Sequence, residues 1–433
     1  MSVLEKTFKL EENGTNVKTE VVAGITSFMT MAYILIVNPL TLSEAGMDFG
    51  GVFTATAVSA VIATLVMAFY ANYPFVLAPG MGLNAFFAYS VVLGMGYSWE
   101  FALTAVFLEG IIFILLSFFN VREAIVKAIP MSLKNAVSVG IGLFIAFIGL
   151  VNAGIVGEGG AILELGKMTS GNAIVAVVGI IITGVLLIKN VKGALLIGIL
   201  ASTIISLPLG VTTLPEGLRF FSLPPSLSTV AFKLDFSNIF TIDMVIILFT
   251  FLFVDMFDTI GTLVGVASKA EMLDEDGNLP KVKEALLADA IGTTVGALLG
   301  TSTVTTYVES ASGVAEGGRT GLTALSAAGM FAISLFLSPL FIMIPSAATA
   351  PALILVGLFM LSPIKKIDLD DFTEAIPAFL TIIMMPLAYS IADGIAFGMI
   401  SYVLLKLLSG KAKQVSPVMY ILAILFIVKF IVT

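Results

Sequence analysis

Four acidic side chains stand out because they lie in apolar surroundings. Asp255 and Asp258 are three residues apart inside a long apolar run, and Glu309 lies in a hydroxyl-rich stretch, residues 300–313. A carboxylate at membrane depth costs about 2.5–3.5 kcal/mol on insertion scales, so it indicates a substrate, ion or proton site. The i,i+3 spacing predicts that both aspartates share one helix face. For Glu109, in the fourth apolar run, a hydrogen bond to a neighbouring helix is as good an explanation as a functional site. For the other three acids, a structural role is the alternative.

The composition is that of a polytopic membrane protein. Hydrophobic residues make up 58% of the 433 residues and charged residues 12%, whereas a soluble domain is about 25% charged. The chain has no Cys and no His, which excludes disulfides and leaves proton transfer to carboxylates. No Ser/His, Cys or metal-ligand constellation supports an enzyme, so neither catalysis, a cofactor nor a metal site is expected. Nucleic acid is not an expected partner.

Fourteen membrane spans are predicted from apolar runs, most of them about as long as a helix needs to cross hydrocarbon. They cover residues 21–38, 51–71, 82–97, 100–119, 134–153, 172–188, 192–209, 244–267, 284–300, 309–317, 320–338, 342–361, 373–390 and 392–409. A last apolar run, 415–432, is either a further span or a helix on the membrane surface.

Basic residues predict the orientation, because cytoplasmic loops retain Lys and Arg. With the N-terminal segment 1–20 placed in the cytoplasm, the inner loops hold most of them: Arg122, Lys127, Lys134, Lys189, Lys192, Lys269, Lys281, Lys283, Arg319, Lys365, Lys366, Lys411 and Lys413. The outer loops hold only Lys167, Arg219 and Lys233. A count of fourteen agrees with this bias.

The chain also divides into two similar halves of seven spans, joined by an external linker at 210–243. A shift of 225 residues places Asn84 on Glu309 and Thr30 on Asp255. An odd number of spans inverts the second half, and weak symmetry of this kind is typical of inverted-repeat transporters. Chance similarity between hydrophobic helices is the other explanation.

Both halves contain a broken apolar segment at corresponding positions. In the first, Pro79, Gly80 and Gly82 oppose a continuous helix, and in the second β-branched residues fill 301–306. Non-helical backbone at membrane depth must be buried or line a wet cavity, and two extended pieces can satisfy each other by pairing. A helix that starts after each break directs its N–H groups toward one central point. An ordinary loop, and threonines bonded to their own helix, are the alternatives.

Four segments then carry a resemblance to a known family. They read TSFMTMAYI (26–34), APGMGLNAFFA (78–88), FVDMFDTIGT (253–262) and GTSTVTTYVES (300–310). In this order they resemble the nucleobase–cation symporters of the xanthine/uracil permease superfamily, most closely the hypoxanthine/guanine/adenine permease branch. Four motifs in the family's order are far more specific than one, and the similarity extends over the whole chain.

The resemblance implies an all-α polytopic fold of fourteen spans in a seven-plus-seven inverted repeat, with a short β-strand in the third and tenth spans. It also implies a core domain from spans 1–4 and 8–11 and a gate domain from spans 5–7 and 12–14. The expected limits are 21–119 and 244–338 for the core, 120–209 and 339–409 for the gate, and 410–433 for a C-terminal apolar segment.

The resemblance assigns roles to particular residues. Asp255 and Glu309 would hold the base with Asn84 nearby, while Asp258 and Glu309 would take part in proton coupling. Uracil members often carry a His one turn after the eighth-span carboxylate, and Thr259 stands there in this chain. This departure favours the purine branch.

The chemistry of purines agrees with carboxylates at the site. Purine edges offer N–H donors, and hydrogen bonds to a charged acceptor are about twice as strong as neutral ones. Phe86 and Phe87 are candidates to stack on the ring, and Thr30, which the repeat aligns with Asp255, is the remaining candidate contact.

The resulting hypothesis is a secondary active transporter of the plasma membrane that imports purine nucleobases with protons by an elevator-type movement. Its partners are the base, the proton and the lipid bilayer; sodium in place of the proton, a homodimer and the preferred purine are left open. The alternatives are a sulfate- or bicarbonate-like anion transporter on the same fold, which the acidic residues oppose, and a cation channel with a carboxylate-lined pore.

Overall fold

The computed structural model describes residues 3–119, 129–159, 163–212, 220–274 and 279–432, which are almost entirely helical. The helices are α1 (Val3–Phe8), α2 (Val17–Met31), α3 (Ile34–Glu44), α4 (Phe49–Val66), α5 (Met81–Ala85), α6 (Trp99–Phe119), α7 (Met131–Asn152), α8 (Gly171–Ile188), α9 (Ala194–Ser206), α10 (Ile242–Lys269), α11 (Val282–Leu299), α12 (Ser310–Ala315), α13 (Gly321–Ser334), α14 (Ser338–Ile342), α15 (Ser346–Phe359), α16 (Phe372–Leu387), α17 (Ile391–Leu408) and α18 (Pro417–Val432). Wider π-helical turns extend α4 through Met67–Ala71 and α5 through Phe86–Gly94. The loop residues Arg122, Lys127 and Arg219 lie outside the described ranges.

The predicted class, a polytopic α-helical membrane protein, is confirmed. Within the described ranges, nine helices are long and apolar enough to cross a membrane, and four shorter apolar helices accompany them. A helix stands at each of the fourteen predicted spans, but some are short, such as the six residues of α12. The count of fourteen therefore stays a prediction. The last apolar run forms α18, which packs on α17 and pairs Lys429 Nζ with Asp393 Oδ1 at 2.9 Å.

Two short strands replace helix at the predicted breaks. Strand β1 (Leu77–Pro79) runs antiparallel to the strand Val304–Thr306, with Ala78 opposite Thr305. The Gly80 N–H also donates to the Thr303 carbonyl at 2.9 Å. Pairing thus satisfies backbone groups that the breaks would leave exposed in the membrane, and the predicted strands are confirmed. Two further strands, β2 (Val156–Glu158) and β3 (Leu163–Leu165), pair with each other after α7, so Val304–Thr306 is β4.

Glycine is required at two points of this arrangement. A Cβ on Gly80 would lie 2.6 Å from Thr305 Cγ2, so a side chain there would push β1 away from β4. Gly300 ends α11 with φ +98°, a conformation that side chains disfavour. Because the strands begin at Leu77 and Val304, a constant shift of 225 residues misaligns them by two residues.

The helices pack in two groups. One contains α2, α4, α6, α11 and α13, with α10 against α6, and the other contains α7, α8, α9, α15, α16 and α17. The core and gate domains stay a prediction, both in their helices and in their limits.

Glu20 joins the two halves of the chain within the first group. Its carboxylate is fully buried and accepts hydrogen bonds from the backbone N–H groups of Arg319 at 2.8 Å, Thr320 at 3.2 Å and Thr323 at 3.0 Å. These N–H groups belong to the start of α13, where a helix has no internal acceptors. A side chain of α2 therefore caps a helix about 300 residues later.

Candidate functional site

A cavity lies at the strand pair, between the two packing groups. Its walls are Tyr33, Gly80, Met81, Gly82, Asp258, Thr262, Thr305, Thr306, Tyr307, Val308, Glu309, Val356, Phe359 and Met360. The last three come from the end of α15 and the turn after it, in the second group. Of the others, Asp258 and Thr262 lie on α10, and β4 and α12, which flank Glu309, pack against α10, α11 and α2 of the first group. The cavity thus combines two carboxylates and several hydroxyls with an apolar wall.

Glu309 is positioned by the loop that follows β4. The chain leaves the strand through Tyr307, whose hydroxyl donates to the Pro79 carbonyl at 2.5 Å, and Glu309 immediately precedes α12. The Tyr33 hydroxyl, in the turn between α2 and α3, donates to Glu309 Oε1 at 2.9 Å. The Thr30 hydroxyl donates to the Ser27 carbonyl of its own helix at 2.8 Å, lies 3.5 Å from the Glu309 backbone carbonyl, and does not line the cavity. Glu309 is therefore oriented by a phenol and remains at the cavity wall.

The structure separates Asp258 from Asp255. Asp258 lines the cavity, whereas Asp255 is fully buried and is not part of its wall. With 3.6 residues per turn, residues three apart are rotated by about 60° around the helix axis. In α10 this rotation turns Asp258 toward the cavity and Asp255 toward the packing behind the strands.

Asp255 belongs to a buried network with Asp289 of α11. The Thr259 hydroxyl lies 3.2 Å from Asp255 Oδ1 and 2.9 Å from Asp289 Oδ2, and 2.7 Å from the Thr305 hydroxyl. Glu109 of α6 joins this network from another side, where its Oε2 accepts from Thr303 at 2.7 Å. Three carboxyl groups therefore lie behind β4, away from the cavity.

The hydroxyl-rich segment bonds to other elements rather than to its own helix. Besides Thr303 and Thr305, Thr301 accepts from Asn38 Nδ2 at 2.9 Å, and the Ser302 hydroxyl donates to Asn84 Oδ1. Asn84 is fully buried and does not line the cavity. The interpretation of these threonines as bonded to a preceding helical turn is wrong.

The predicted stacking residues lie elsewhere. Phe86 and Phe87 are both fully buried, and Phe86 meets the edge of Phe251 at a centroid distance of 4.8 Å. Neither lines the cavity, whose phenylalanine is Phe359 of α15. In this conformation an aromatic contact to a ligand would come from the second packing group.

Four polar residues of the cavity and network carry no assignment from the sequence: Tyr33, Thr262, Tyr307 and Asp289. Asp289 had a usable signal, because it is an acid inside the apolar run 284–300, like Asp255 in its own run. Tyr33, Thr262 and Tyr307 lie within the motifs that carry the family resemblance, but a tyrosine or threonine there has no signal of its own.

Solved structures show the fold. The transmembrane domain of a cyanobacterium bicarbonate transporter, BicA, aligns with a TM-score of 0.64 at 17% sequence identity, covering 87% of this chain and 97% of that one. A likeness at this level of sequence identity shows the shared fold alone.

Sequence relatives are closer. The guanine/hypoxanthine permease PbuG of Bacillus subtilis is 46% identical over 436 residues, which are 98% of this chain and 98% of PbuG. The adenine permease AdeP of Escherichia coli is 43% identical over 430 residues, 99% of this chain and 96% of AdeP. The model of the Permease family, that of the xanthine/uracil permeases, matches residues 18–397. By these matches the chain belongs to the xanthine/uracil permease family.

Proposed function

We propose that this protein imports purine nucleobases across the plasma membrane together with protons. The observation that carries the proposal is a cavity at a paired strand break in which two carboxylates, Asp258 and Glu309, face the same space. Relatives of nearly full length are named adenine and guanine/hypoxanthine permeases, which supports the same substrate class.

The cavity wall suits a flat molecule that carries N–H groups. Guanine presents a ring N–H and an amino group on one edge, hypoxanthine two ring N–H groups, and adenine an amino and a ring N–H group. A carboxylate accepts such donors with charge-assisted bonds. The start of α5 at Met81 supplies backbone N–H groups without helical acceptors, which suit the acceptor atoms of the base. Phe359 supplies an apolar face.

The anion-transporter alternative shares the fold, as the likeness to BicA illustrates. Its site would need neutral or cationic walls, since an anion next to Asp258 and Glu309 would be repelled. The cavity therefore favours the base, and sulfate serves as a negative control.

The position of the cavity supports an elevator-type movement. Asp258, Glu309 and both strands belong to the first packing group, while Val356, Phe359 and Met360 belong to the second. Movement of the first group past the second would carry the bound base from one side of the membrane to the other. A ligand drives such a movement only by binding the two states with different affinity.

The proposed orientation places the N-terminus in the cytoplasm. Because the chain has no Cys, a single introduced Cys reports its own location. We expect a Cys at Lys365 to react with an impermeant maleimide only in opened cells, and a Cys at Lys233 to react in intact cells. The reverse pattern would contradict the orientation.

Transport is tested in proteoliposomes with radiolabelled hypoxanthine and an inward proton gradient. We expect gradient-driven uptake that is lost in Glu309→Gln and Asp258→Asn and is blocked by unlabelled purines but not by uracil or sulfate. Glu100→Gln, at the start of α6 and away from the cavity, is the matched control and should transport normally. An absence of uptake in the wild type, or competition by sulfate, would overturn the proposal.

A further inference from the structure

Glu109 is a buried acid that the cavity does not use. It lies in α6 with no exposed surface, and one carboxyl oxygen, Oε2, accepts a hydrogen bond from Thr303. The other oxygen, Oε1, is buried and receives no hydrogen bond from any described residue. Leaving a buried polar atom without a donor is costly, and more so when it carries charge.

The neighbour of Glu109 is another acid. Its carboxyl group lies within hydrogen-bonding range of the Asp255 carboxyl group. Ionised carboxylates only accept hydrogen bonds, so two of them in contact repel, whereas one protonated carboxyl donates to the other. The contact between Glu109 and Asp255 therefore has the form of a carboxyl–carboxylate pair that shares a proton.

The surroundings of the pair favour a proton over other cations. The charged groups that act on Glu109 are Asp255 of α10 and Asp289 of α11, both acids, while Thr303 offers a neutral hydroxyl. In the described part of the chain, no group of acidic side chains has an arrangement that would hold a metal ion. The side chains named around Glu109 are thus acids and a neutral hydroxyl, all without exposed surface.

We propose that the Glu109–Asp255 pair is the proton-binding site of the transporter, separate from the cavity that holds the base. This inference rests on the proposed function. The Thr259 hydroxyl connects Asp255 to the Thr305 hydroxyl at 2.7 Å, and Thr305 lines the cavity. Protonation behind the strand pair would thus be communicated to the base through one threonine pair and through the helical turn between Asp255 and Asp258.

The test measures the binding, the exchange and the accumulation of hypoxanthine separately in Glu109→Gln. Glutamine retains the shape and donates permanently to Asp255, so it mimics the protonated acid. The variant should bind hypoxanthine as the wild type does and exchange internal for external base, but without accumulation. Under a gradient of one pH unit, wild type with one proton per base accumulates about tenfold, because one pH unit corresponds to about 1.4 kcal/mol. The variant should only equilibrate, and a pH-sensitive dye should record no proton entry with the base.

Controls keep this inference distinct from the proposed function. If wild type neither binds nor accumulates hypoxanthine, the proposed function fails. If wild type accumulates it and Glu109→Gln does so equally, with the same proton entry, only the inference fails. Asp258→Asn with intact binding but lost proton entry would place the proton on the cavity side and also overturn it, as would accumulation driven by sodium alone. Should Glu109→Gln elute as an aggregate, Asp255→Asn replaces it with the same expected outcome, and Glu100→Gln is the control for both.

Discussion

The two faces of the strand pair hold the same kind of side chain in opposite surroundings. On the cavity face, Asp258 and Glu309 border open space, and the neighbour that orients Glu309 is a phenol. On the other face, Glu109, Asp255 and Asp289 have no exposed surface and contact threonine hydroxyls. Access to the cavity, rather than residue type, therefore distinguishes Asp258 and Glu309, which we propose bind the base, from Glu109 and Asp255, which we propose share a proton.

The largest expected effect is on the cavity face. Glu309→Gln exchanges a charged acceptor for a neutral amide, so binding of the base should weaken by about 3 kcal/mol, or about 100-fold, the upper range for a hydrogen bond to a charged group. Equilibrium binding of labelled hypoxanthine to purified protein measures this directly. Binding within a few-fold of wild type, with Glu100→Gln also unchanged, would remove Glu309 from the site.

The contrast between the two faces of the strand pair is tested most directly within α10. Asp258→Asn should weaken binding by about 2 kcal/mol, or about 30-fold, whereas Asp255→Asn should change it by less than about threefold. Both variants make the same chemical change three residues apart, so each controls for the other. If Asp255→Asn proves the more damaging to binding, the base contacts the buried face, as the family resemblance implied.

Gly80→Ala acts on both faces at once. The new methyl group would overlap the Thr305 side chain, and overpacking of this kind lowers the stability of a protein by about 1–3 kcal/mol. We expect a lower melting temperature in detergent and parallel losses of base binding and proton entry. Gly184→Ala, where an added methyl group meets open space, is the matched control. A stable Gly80→Ala that loses only one of the two activities would show that the faces are uncoupled.

The smallest effect is expected from Tyr33→Phe. It removes one hydrogen bond to Glu309 and nothing else, so binding should weaken by about 1 kcal/mol, or about fivefold. Isothermal titration with hypoxanthine measures it. The variant should add little to Glu309→Gln in a double-mutant cycle, since the phenol acts through that carboxylate. Additive losses would instead indicate that Tyr33 contacts the base itself.

Local sequence rules predict the broken spans, but they do not predict which side chains face the cavity. Prolines and glycines near Pro79 and the threonines of 301–306 indicate extended backbone, and pairing is what a membrane demands of it. The partition of Asp255 and Asp258 depends on the rotation of α10, which follows from packing against α6 and β4. Spacing alone placed both on one face.

Asn84 and the phenylalanines illustrate the same limit. The amide of an asparagine near a helix start can form a hydrogen bond with a ligand or with a protein hydroxyl equally well. Here Asn84 accepts one from the Ser302 hydroxyl. Phe86 and Phe87 follow the recognised APGMGLN segment, but the direction of their side chains is fixed by α5 and its wider turns. Their proposed contact with the base would require a conformation other than this one.

The β1–β4 pairing also constrains how the protein is made. Leu77 and Thr306 are partners, so the first strand leaves the ribosome long before its partner exists. At about 5–20 residues per second, the intervening chain takes roughly 10–45 s to synthesise. During this interval the nascent first half holds an unpaired strand at membrane depth, and we expect the insertion machinery or a chaperone to shelter it until the second half arrives.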